Sequence, residues 1–482
     1  MRKSILAGLL LASAATGVTY AQTKPAIPNP TAPVDATNGK PKLGDFGVDL
    51  SAMDTSVKPG DDFYRYVNGK WMDRTEIPAD RSSWGGFAIL RDLSDKRTRE
   101  VIEEAAAKQN APGTVNDKIG LTYASFMDAP AIEAAGAKPL APYLAKINAI
   151  GSEADLARAF GDATMNGIDV PIGAGVQQDL KDNTTYTVYV GQGGLGLPDR
   201  DYYLVDNPKF VEARQKYVTH IAKMLTLAGQ PDAAGSAQRI YDLEKQIAQV
   251  HWTRAEQRQV EKIYNPMATA ELAAKMPGFD WAAMLAEQKL AGQPQVIIAQ
   301  PSALTATAKI IKATPLKTWK EYLAFHTISN AAPLLSSPFV NENFAFYGTT
   351  LSGTPELKAR WKRGVDLVNG SLGEAVGQVY VQKYFPPEAK AKADELVRNL
   401  ISAMDTRLAN LEWMAPETKV KARAKLAAFT PKIGYPDKWR DYSALQVVKG
   451  DVLGNADRVA AFEYKRQLDK IGKPVDRSEW FM

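Results

Sequence analysis

The sequence predicts a mainly α-helical fold with one small antiparallel β insert. Apolar residues recur at helical spacing through most of the chain, as in the stripe formed by Tyr217, Ile221 and Leu225. Only the region from about 169 to 190 alternates β-branched and aromatic residues with polar ones. With 482 residues and 45% hydrophobic content, the chain has enough apolar material for a large core.

The N-terminus has the pattern of a secretory signal. Arg2 and Lys3 precede an apolar stretch of small residues, Ser4 to Val18, and Ala21 ends a plausible cleavage site. We therefore expect residues 1–21 to be a signal peptide and the product to be periplasmic or extracellular. An uncleaved single-helix anchor is the alternative.

The next segment, 22–47, is rich in Pro, Thr, Ala, Asn and Lys and predicts a flexible linker. The folded domain is expected over 48–482. The sequence has no cysteine, which excludes disulfides and a thiol nucleophile, so the fold must be held by core packing.

Charge excludes one class of partner. The formal net charge of +5 is small, and Lys and Arg form no stripe interleaved with aromatic residues. We expect no nucleic-acid partner and, once the signal is cleaved, no membrane span.

The first folded segment is dense in aromatic residues. Asp61-Asp62 is placed to cap a helix that begins at Phe63, and Asn68-Gly69 is expected to end it. Ser94-Asp95 is expected to cap a long amphipathic helix whose apolar face includes Val101 and Ile102.

The middle of the chain holds the β insert. Strands are expected at 169–172 and 184–190, with a turn at Asp182-Asn183, and 296–298 is a further short β-branched run. Residues 191–196 match G-x-G-x-x-G, but Pro198 interrupts the phosphate-binding helix that this motif requires, so a glycine-rich turn is the preferred interpretation.

Helices are predicted through the remainder. They cover 115–161 in two or three pieces, 208–250, 319–335, 360–380, 389–411, 418–429 and 453–468.

The three histidines, His220, His251 and His326, do not form a zinc-peptidase motif. None is followed by Glu, and no two are one helical turn apart, whereas such a helix needs two imidazoles and a glutamate. No G-x-S-x-G elbow is present either. We therefore assign no catalytic and no metal-binding residue, and interpret each histidine as a packed or surface residue.

Several short motifs nevertheless follow one another in a characteristic order and are spread over the whole folded region. They are 62–64 with 68–71, 77–78, 90–92, 123–128, 194–203, 243–244 with 264–265, 346–348, 360–363, 374–381, 413–414 with 418–419, and 433–436. In this arrangement the chain resembles the neprilysin and endothelin-converting-enzyme family of zinc metalloendopeptidases, which includes bacterial oligopeptidases.

The resemblance implies a two-lobed, mostly helical gluzincin peptidase that encloses oligopeptides in a chamber. It covers the family's N-terminal region, which forms most of the large helical lobe. Asp476 to Trp480 matches the family's Asp-x-x-Glu-Trp segment, after which the substrate strand, the H-E-x-x-H helix and the later glutamate ligand are expected. The intact family enzyme carries zinc, and we expect none bound to this chain.

The resemblance also implies one substrate-binding residue. Arg91, in the Leu-Arg-Asp segment, matches an arginine near the primed substrate subsites of mammalian members. A guanidinium suits a peptide C-terminal carboxylate because it binds it bidentately. A second subsite arginine of the family falls near Ser83 in this chain, and a structural ion pair is the alternative role for Arg91.

Three interpretations remain open. The chain is the N-terminal region of a truncated peptidase that is inactive alone, a non-catalytic exported peptide-binding or scaffold protein, or a lid subunit completed by a separately encoded catalytic chain. Oligopeptides are the expected ligands in each case.

Overall fold

The computed structural model describes residues 49–480, so the signal peptide and the linker predicted at 1–21 and 22–47 lie outside the described residues. The described chain forms two compact units. The large unit comprises 92–380 and 436–480, and the small unit comprises 49–91 and 381–435.

Nineteen α-helices occur among residues 49–480, and the prediction of a mainly α-helical fold is confirmed. They are α1 (Phe63–Arg74), α2 (Gly86–Ala107), α3 (Val115–Met127), α4 (Ala129–Ala135), α5 (Ala141–Asn148), α6 (Glu153–Met165), α7 (Asp201–Leu204), α8 (Pro208–Leu227), α9 (Ala233–Val250), α10 (Arg254–Gln257), α11 (Leu272–Lys275), α12 (Trp281–Glu287), α13 (Pro301–Ala313), α14 (Leu316–Ala331), α15 (Ser337–Asn343), α16 (Arg360–Tyr384), α17 (Pro387–Ala409), α18 (Pro416–Ala427) and α19 (Val452–Leu468). A π-helix, Phe344–Thr350, follows α15. None of these helices combines the length and the apolarity needed to cross a bilayer, in the part of the chain that the structure describes.

The β insert belongs to the large unit and is larger than predicted. Its strands are β1 (Ile172–Gln178), β2 (Tyr186–Gln192), β3 (Asn265–Ala268) and β4 (Gln295–Ile298), in the order β1-β2-β4-β3. β1 pairs antiparallel with β2, and β3 pairs antiparallel with β4, but β2 and β4 are parallel.

The prediction of a purely antiparallel insert is therefore wrong in this detail. The strand at 169–172 is also misplaced, because the pairing begins at Ile172 and continues to Gln178. A strand partner for the β-branched run at 296–298 could not be recognised from the sequence. Its neighbour β2 lies about a hundred residues earlier, and only tertiary packing brings the two strands together.

The core of the large unit surrounds this sheet. Phe160 of α6 stacks edge-on against Trp319 of α14, and both side chains are fully buried. The last three residues of β4 are fully buried, which explains why they form a continuous β-branched run rather than an alternating one. The sheet thus forms part of the core, and the helices pack around it.

The glycine-rich stretch 191–196 is the end of β2 and the turn that follows it, in agreement with the turn interpretation. Gly194 has φ +82°, in the left-handed region that favours glycine. At Gly196 a Cβ atom would lie 1.7 Å from the Tyr217 hydroxyl of α8. These glycines let the backbone approach buried tyrosines, which is a packing role.

In the small unit, Asp62 caps α1 as predicted, its Oδ1 accepting the backbone N–H of Arg65 at 2.8 Å. The predicted end at Asn68-Gly69 is wrong, because α1 continues to Arg74. Gly69 does not have a positive φ. It is needed for close packing instead, since a Cβ there would lie 2.6 Å from Cβ of Asp54.

The predicted start of α2 is also wrong. The helix begins at Gly86, so Ser94 and Asp95 lie inside it and cap nothing. The predicted apolar face is confirmed, because Val101 and Ile102 are almost completely buried. Ser and Asp are good caps only where a helix in fact starts, and tertiary contacts moved this start by about two turns.

The remaining part of the small unit is a helical hairpin. α17 and α18 contact each other, and Arg423 binds Asp405 through Nε and Nη2 at 2.7 and 2.9 Å. Neither helix has a buried residue. Leu396 and Leu400 of α17, one turn apart, are both about 60% exposed, so this hairpin presents an apolar stripe.

We predict that Gly196→Ala destabilises the large unit strongly, because the added methyl group overlaps the Tyr217 hydroxyl and overpacking costs about 1–3 kcal/mol or more. Thermal unfolding followed by circular dichroism measures the effect. Gly175→Ala is the matched control, since nothing lies within 4 Å of its Cβ position. Equal melting temperatures for the two variants would contradict the packing role.

Candidate functional site

Arg91 lies on the first third of α2, where its side chain is exposed. Phe87 and Leu90 are 93% and 52% exposed. Positions 87, 90 and 91 are spaced i, i+3 and i+4, which places them on one face of the helix. We call this set, Phe87, Leu90 and Arg91, the α2 face. It combines an apolar surface with a cation.

Ser83, the position of the second family arginine, lies exposed in the segment before α2. It offers a hydroxyl and no charge. Of the two guanidinium groups that the family resemblance implies here, this chain therefore has that of Arg91 and lacks the one expected near Ser83. The role of Arg91 as a substrate-binding residue stays a prediction.

The histidines are packed residues, and the possibility of a surface position is wrong, since all three are buried. His326 of α14 contacts Glu244 of α9, with Nε2 2.8 Å from Oε1. Glu244 is completely buried. With Glu244 ionised, we assign the hydrogen to Nε2, which donates it to the carboxylate.

Three further donors complete the environment of Glu244. Tyr217 donates to Oε1 at 3.0 Å, and Tyr203 donates to Oε2 at 2.6 Å. The backbone N–H of Gly196 donates to Oε2 at 3.3 Å. Burial, and then the Glu244 carboxylate, raise the pKa of both tyrosine hydroxyls well above the usual range, so both remain protonated donors.

The other two histidines lie in separate surroundings. His220 of α8 places Nδ1 3.0 Å from Oε1 of Glu342, which Lys223 also contacts. His251 follows α9, and burial, with the nearby Arg200 charge, lowers the pKa of His251 to about 4. Burial likewise lowers the pKa of His220. Both imidazoles are therefore neutral near pH 7.

This arrangement does not fit zinc. The three imidazoles belong to different clusters, and no group of three or more His, Asp or Glu residues within 49–480 could hold a metal ion. The one histidine with a completely buried carboxylate partner, His326, uses its Nε2 for that hydrogen bond. We therefore derive no catalytic step from these residues.

The Asp-x-x-Glu-Trp segment packs on the β1–β2 hairpin. Val475 N–H donates to Thr184 O at 2.9 Å, and Asp476 N–H donates to the Tyr186 hydroxyl at 3.0 Å. Thr184 lies just before β2, and Tyr186 is its first residue. The hairpin thus fixes the direction of the chain at this end of the large unit.

Glu479 anchors the same segment through ion pairs with Arg466 and with Lys470, the latter at 2.6 Å. Burial acts to raise the pKa of Glu479, but the hydrogen bonds and charges of Lys470 and Arg466 outweigh it, so the pKa lies below its usual 4.5.

The mainly helical fold with its small mixed sheet agrees with a comparison to known families. Residues 59–436 match the model of peptidase family M13. The chain therefore belongs to that family, and the resemblance to neprilysin and the endothelin-converting enzymes is confirmed.

Individual relatives agree. The chain is 29% identical to a neutral endopeptidase of Lactobacillus helveticus over 90% of its own length and 68% of the relative's. It is 25% identical to human endothelin-converting enzyme 1 over 99% of its own length and 63% of the enzyme's. The chain thus spans about two thirds of these relatives.

A solved structure gives the same result. The zinc metalloprotease Zmp1 of Mycobacterium tuberculosis, in complex with an inhibitor, superposes with a TM-score of 0.84 at 39% identity. The match covers 90% of this chain and 66% of Zmp1.

We predict that Glu479→Gln destabilises the large unit at neutral pH by about 1.5–3 kcal/mol, the worth of hydrogen bonds to a charged group. Because the folded pKa is depressed, this stabilisation is present above pH 4.5 and is lost as the pH falls through the folded pKa. Thermal unfolding of both proteins between about pH 3 and pH 8 tests it.

The control is Glu153→Gln, which removes an ion pair to Lys312 whose two side chains are more than half exposed. Its effect should be much smaller. A gap between wild type and Glu479→Gln that persists unchanged at the acidic end of this range would refute the assignment.

Proposed function

We propose that this chain contributes the peptide-enclosing region of an exported zinc endopeptidase that hydrolyses oligopeptides. The observation that carries the proposal is membership of peptidase family M13, and the similarity to the zinc metalloprotease Zmp1 supports it. The signal-like pattern at 1–21 supports export to the periplasm or the extracellular space.

Exposed apolar residues support a catalytic region that covers part of this chain. Most of the exposed large apolar residues among 49–480 belong to the small unit: Leu50, Phe63, Tyr64, Met72, Ile77, Phe87, Leu90, Leu396, Leu400, Met404, Trp413, Val420 and Phe429. Soluble monomers rarely expose large contiguous apolar surfaces. The catalytic region, in the same polypeptide or as a separate chain, would cover them.

On this proposal the zinc ligands are not among the 482 residues of this chain, whose sequence contains no H-E-x-x-H. We predict that the purified 482-residue chain holds no stoichiometric zinc and cleaves no peptide. Elemental analysis after dialysis and a quenched fluorescent peptide assay measure both. One zinc per chain together with chelator-sensitive cleavage would show that these residues form a metal site that the fold does not reveal.

The alternative function is that of a non-catalytic peptide-binding protein, which would use the same α2 face. On either function we propose that Arg91 pairs with the C-terminal carboxylate of a peptide while Phe87 and Leu90 contact an apolar side chain. The exposure of all three side chains on one face supports this.

We predict that Arg91→Met weakens binding of a peptide with a free C-terminus by about two- to five-fold, since an ion pair at an exposed site is worth about 0.2–1 kcal/mol. Binding of the C-terminally amidated peptide should not change. Fluorescence polarisation with both peptides measures this, and Arg158→Met on α6, also exposed and paired with Asp155, is the control. If Arg91→Met weakened both peptides equally, Arg91 would be a structural residue.

A further inference from the structure

The first turn of α16 carries an unusual pair of arginines. Arg360 and Arg363 both lie over the ring of Phe126 in α3, with guanidinium carbons 4.8 and 5.7 Å from its centroid. Phe126 is buried. Two cations therefore share one aromatic ring inside the large unit.

The two arginines differ in their hydrogen bonds. Arg360 donates through Nε and Nη2 to the carbonyl oxygen of Phe126 at 3.0 and 2.6 Å. Nε and Nη1 of Arg363 are shielded from solvent and have no hydrogen-bond partner in the described chain, whereas Nη2 is not shielded in this way. Buried donors in folded proteins are almost always paired, so these two nitrogens indicate a missing acceptor.

Neighbouring carboxylates do not supply that acceptor. Asp128 and Glu133 act electrostatically on Arg360. Burial, and then the Arg360 charge, both lower the pKa of Arg363. Glu133 is already occupied by the backbone N–H and the hydroxyl of Ser337 at 2.8 and 3.0 Å.

The helix itself adds positive potential. A helix N-terminus favours anions, yet the first turn of α16 contains no acidic residue and carries Arg360, Lys362 and Arg363. Arg360 and Arg363 repel each other and are opposed by the helix dipole, whereas Nζ of Lys362 lies 4.0 Å from a carboxylate oxygen of Asp92.

Packing keeps Arg363 in this position. A Cβ atom on Gly364 would lie 2.7 Å from the ring of Tyr123 and 3.3 Å from that of Phe126. The glycine therefore brings the α16 backbone against α3, where the Arg363 guanidinium lies over the Phe126 ring.

We propose that Arg363, assisted by Arg360 and the N-terminus of α16, binds an oxyanion, either a carboxylate or a phosphate. A guanidinium binds such a ligand bidentately through its Nε–Nη2 or its Nη1–Nη2 edge, each of which includes one of the two shielded nitrogens, and the unshielded Nη2 leaves a route for the ligand's entry. This site lies entirely in the large unit, uses none of the α2 face, and does not depend on the proposed function.

The test is thermal unfolding of the 482-residue chain in increasing sodium phosphate or sodium acetate, against sodium chloride at equal ionic strength. Ligand that binds only the folded state raises the melting temperature in a saturable way. We expect such a rise, of about 1–3 °C at a ligand concentration of about a hundred times Kd, for wild type and for Arg158→Met.

Arg363→Met should abolish the rise, while in chloride alone it should melt no lower than wild type, since it replaces a partly buried cation, two of whose nitrogens lack acceptors, with an apolar chain. Arg363→Lys keeps the charge without the fork and should need a several-fold higher anion concentration. It also serves as the informative variant if Arg363→Met does not fold.

The two salts separate the sources of the anion. A response to acetate identifies a carboxylate, as on a protein or peptide segment, and a response to phosphate alone identifies a phosphate ligand. Equal responses of wild type and Arg363→Met would reflect the general stabilising action of these salts and would overturn the proposal. No response in wild type would overturn it as well, leaving water as the partner of the two nitrogens.

Discussion

The large unit depends on one buried charge, the carboxylate of Glu244. A carboxylate removed from water is very unfavourable unless hydrogen bonds replace its hydration. Here each oxygen accepts two hydrogen bonds, and the donors come from the turn after β2, from the α7 segment, from α8 and from α14. Because α9 supplies the carboxylate, these segments must meet at one point. Loss of any single donor leaves the charge short of a partner, so the arrangement is specified much more sharply than apolar contacts alone would require.

The glycines near this carboxylate show how the same constraint shapes the sequence. Gly196 gives its N–H to Glu244 and leaves room for the Tyr217 hydroxyl. Gly194 accepts a hydrogen bond from Tyr322 at its carbonyl oxygen, and a Cβ at that position would meet the Tyr322 hydroxyl at 2.5 Å. Gly194 is not one of the glycines that match the dinucleotide-binding spacing; of those, Gly196 makes room for Tyr217, and a Cβ on Gly193 would lie 2.8 Å from the Val170 carbonyl oxygen. Packing thus accounts for these glycines, which is why the context of such a motif decides its meaning.

Local patterns predicted the helices well and their limits poorly. The periodicity of α8, α9 and α19 follows from 3.6 residues per turn, and it survives folding because one face of each helix enters the core. The predicted end of α1 at Gly69 and the predicted start of α2 at Ser94-Asp95 were wrong because a helix cap or stop is a weak local preference that packing overrides. The parallel pairing of β2 with β4 depends on residues far apart in sequence, for which the chain carries no local signal.

The candidate sites divide in the same way. The family resemblance pointed to Arg91, and the structure adds only that it shares an exposed face with Phe87 and Leu90. Glu244 was visible as part of a motif, yet its partners on other segments were not. Nothing local distinguishes Arg363 from its neighbour Lys362. Its two unpaired nitrogens become evident only when α3 is packed against α16.

Arg91 and Arg363 differ in how far solvent reaches their guanidinium groups. A cation on an exposed face is screened by solvent, so pairing it with a ligand carboxylate gains little per contact and allows rapid release, in keeping with the role proposed for Arg91. At Arg363, Nε and Nη1 have lost their water and found no acceptor, so the cost of desolvation has been met by the fold before any ligand arrives. An anion bound at Arg363 is attracted more strongly than one at an exposed cation, because the surroundings of the shielded nitrogens are less polar than water. Such a site favours slow dissociation of the ligand.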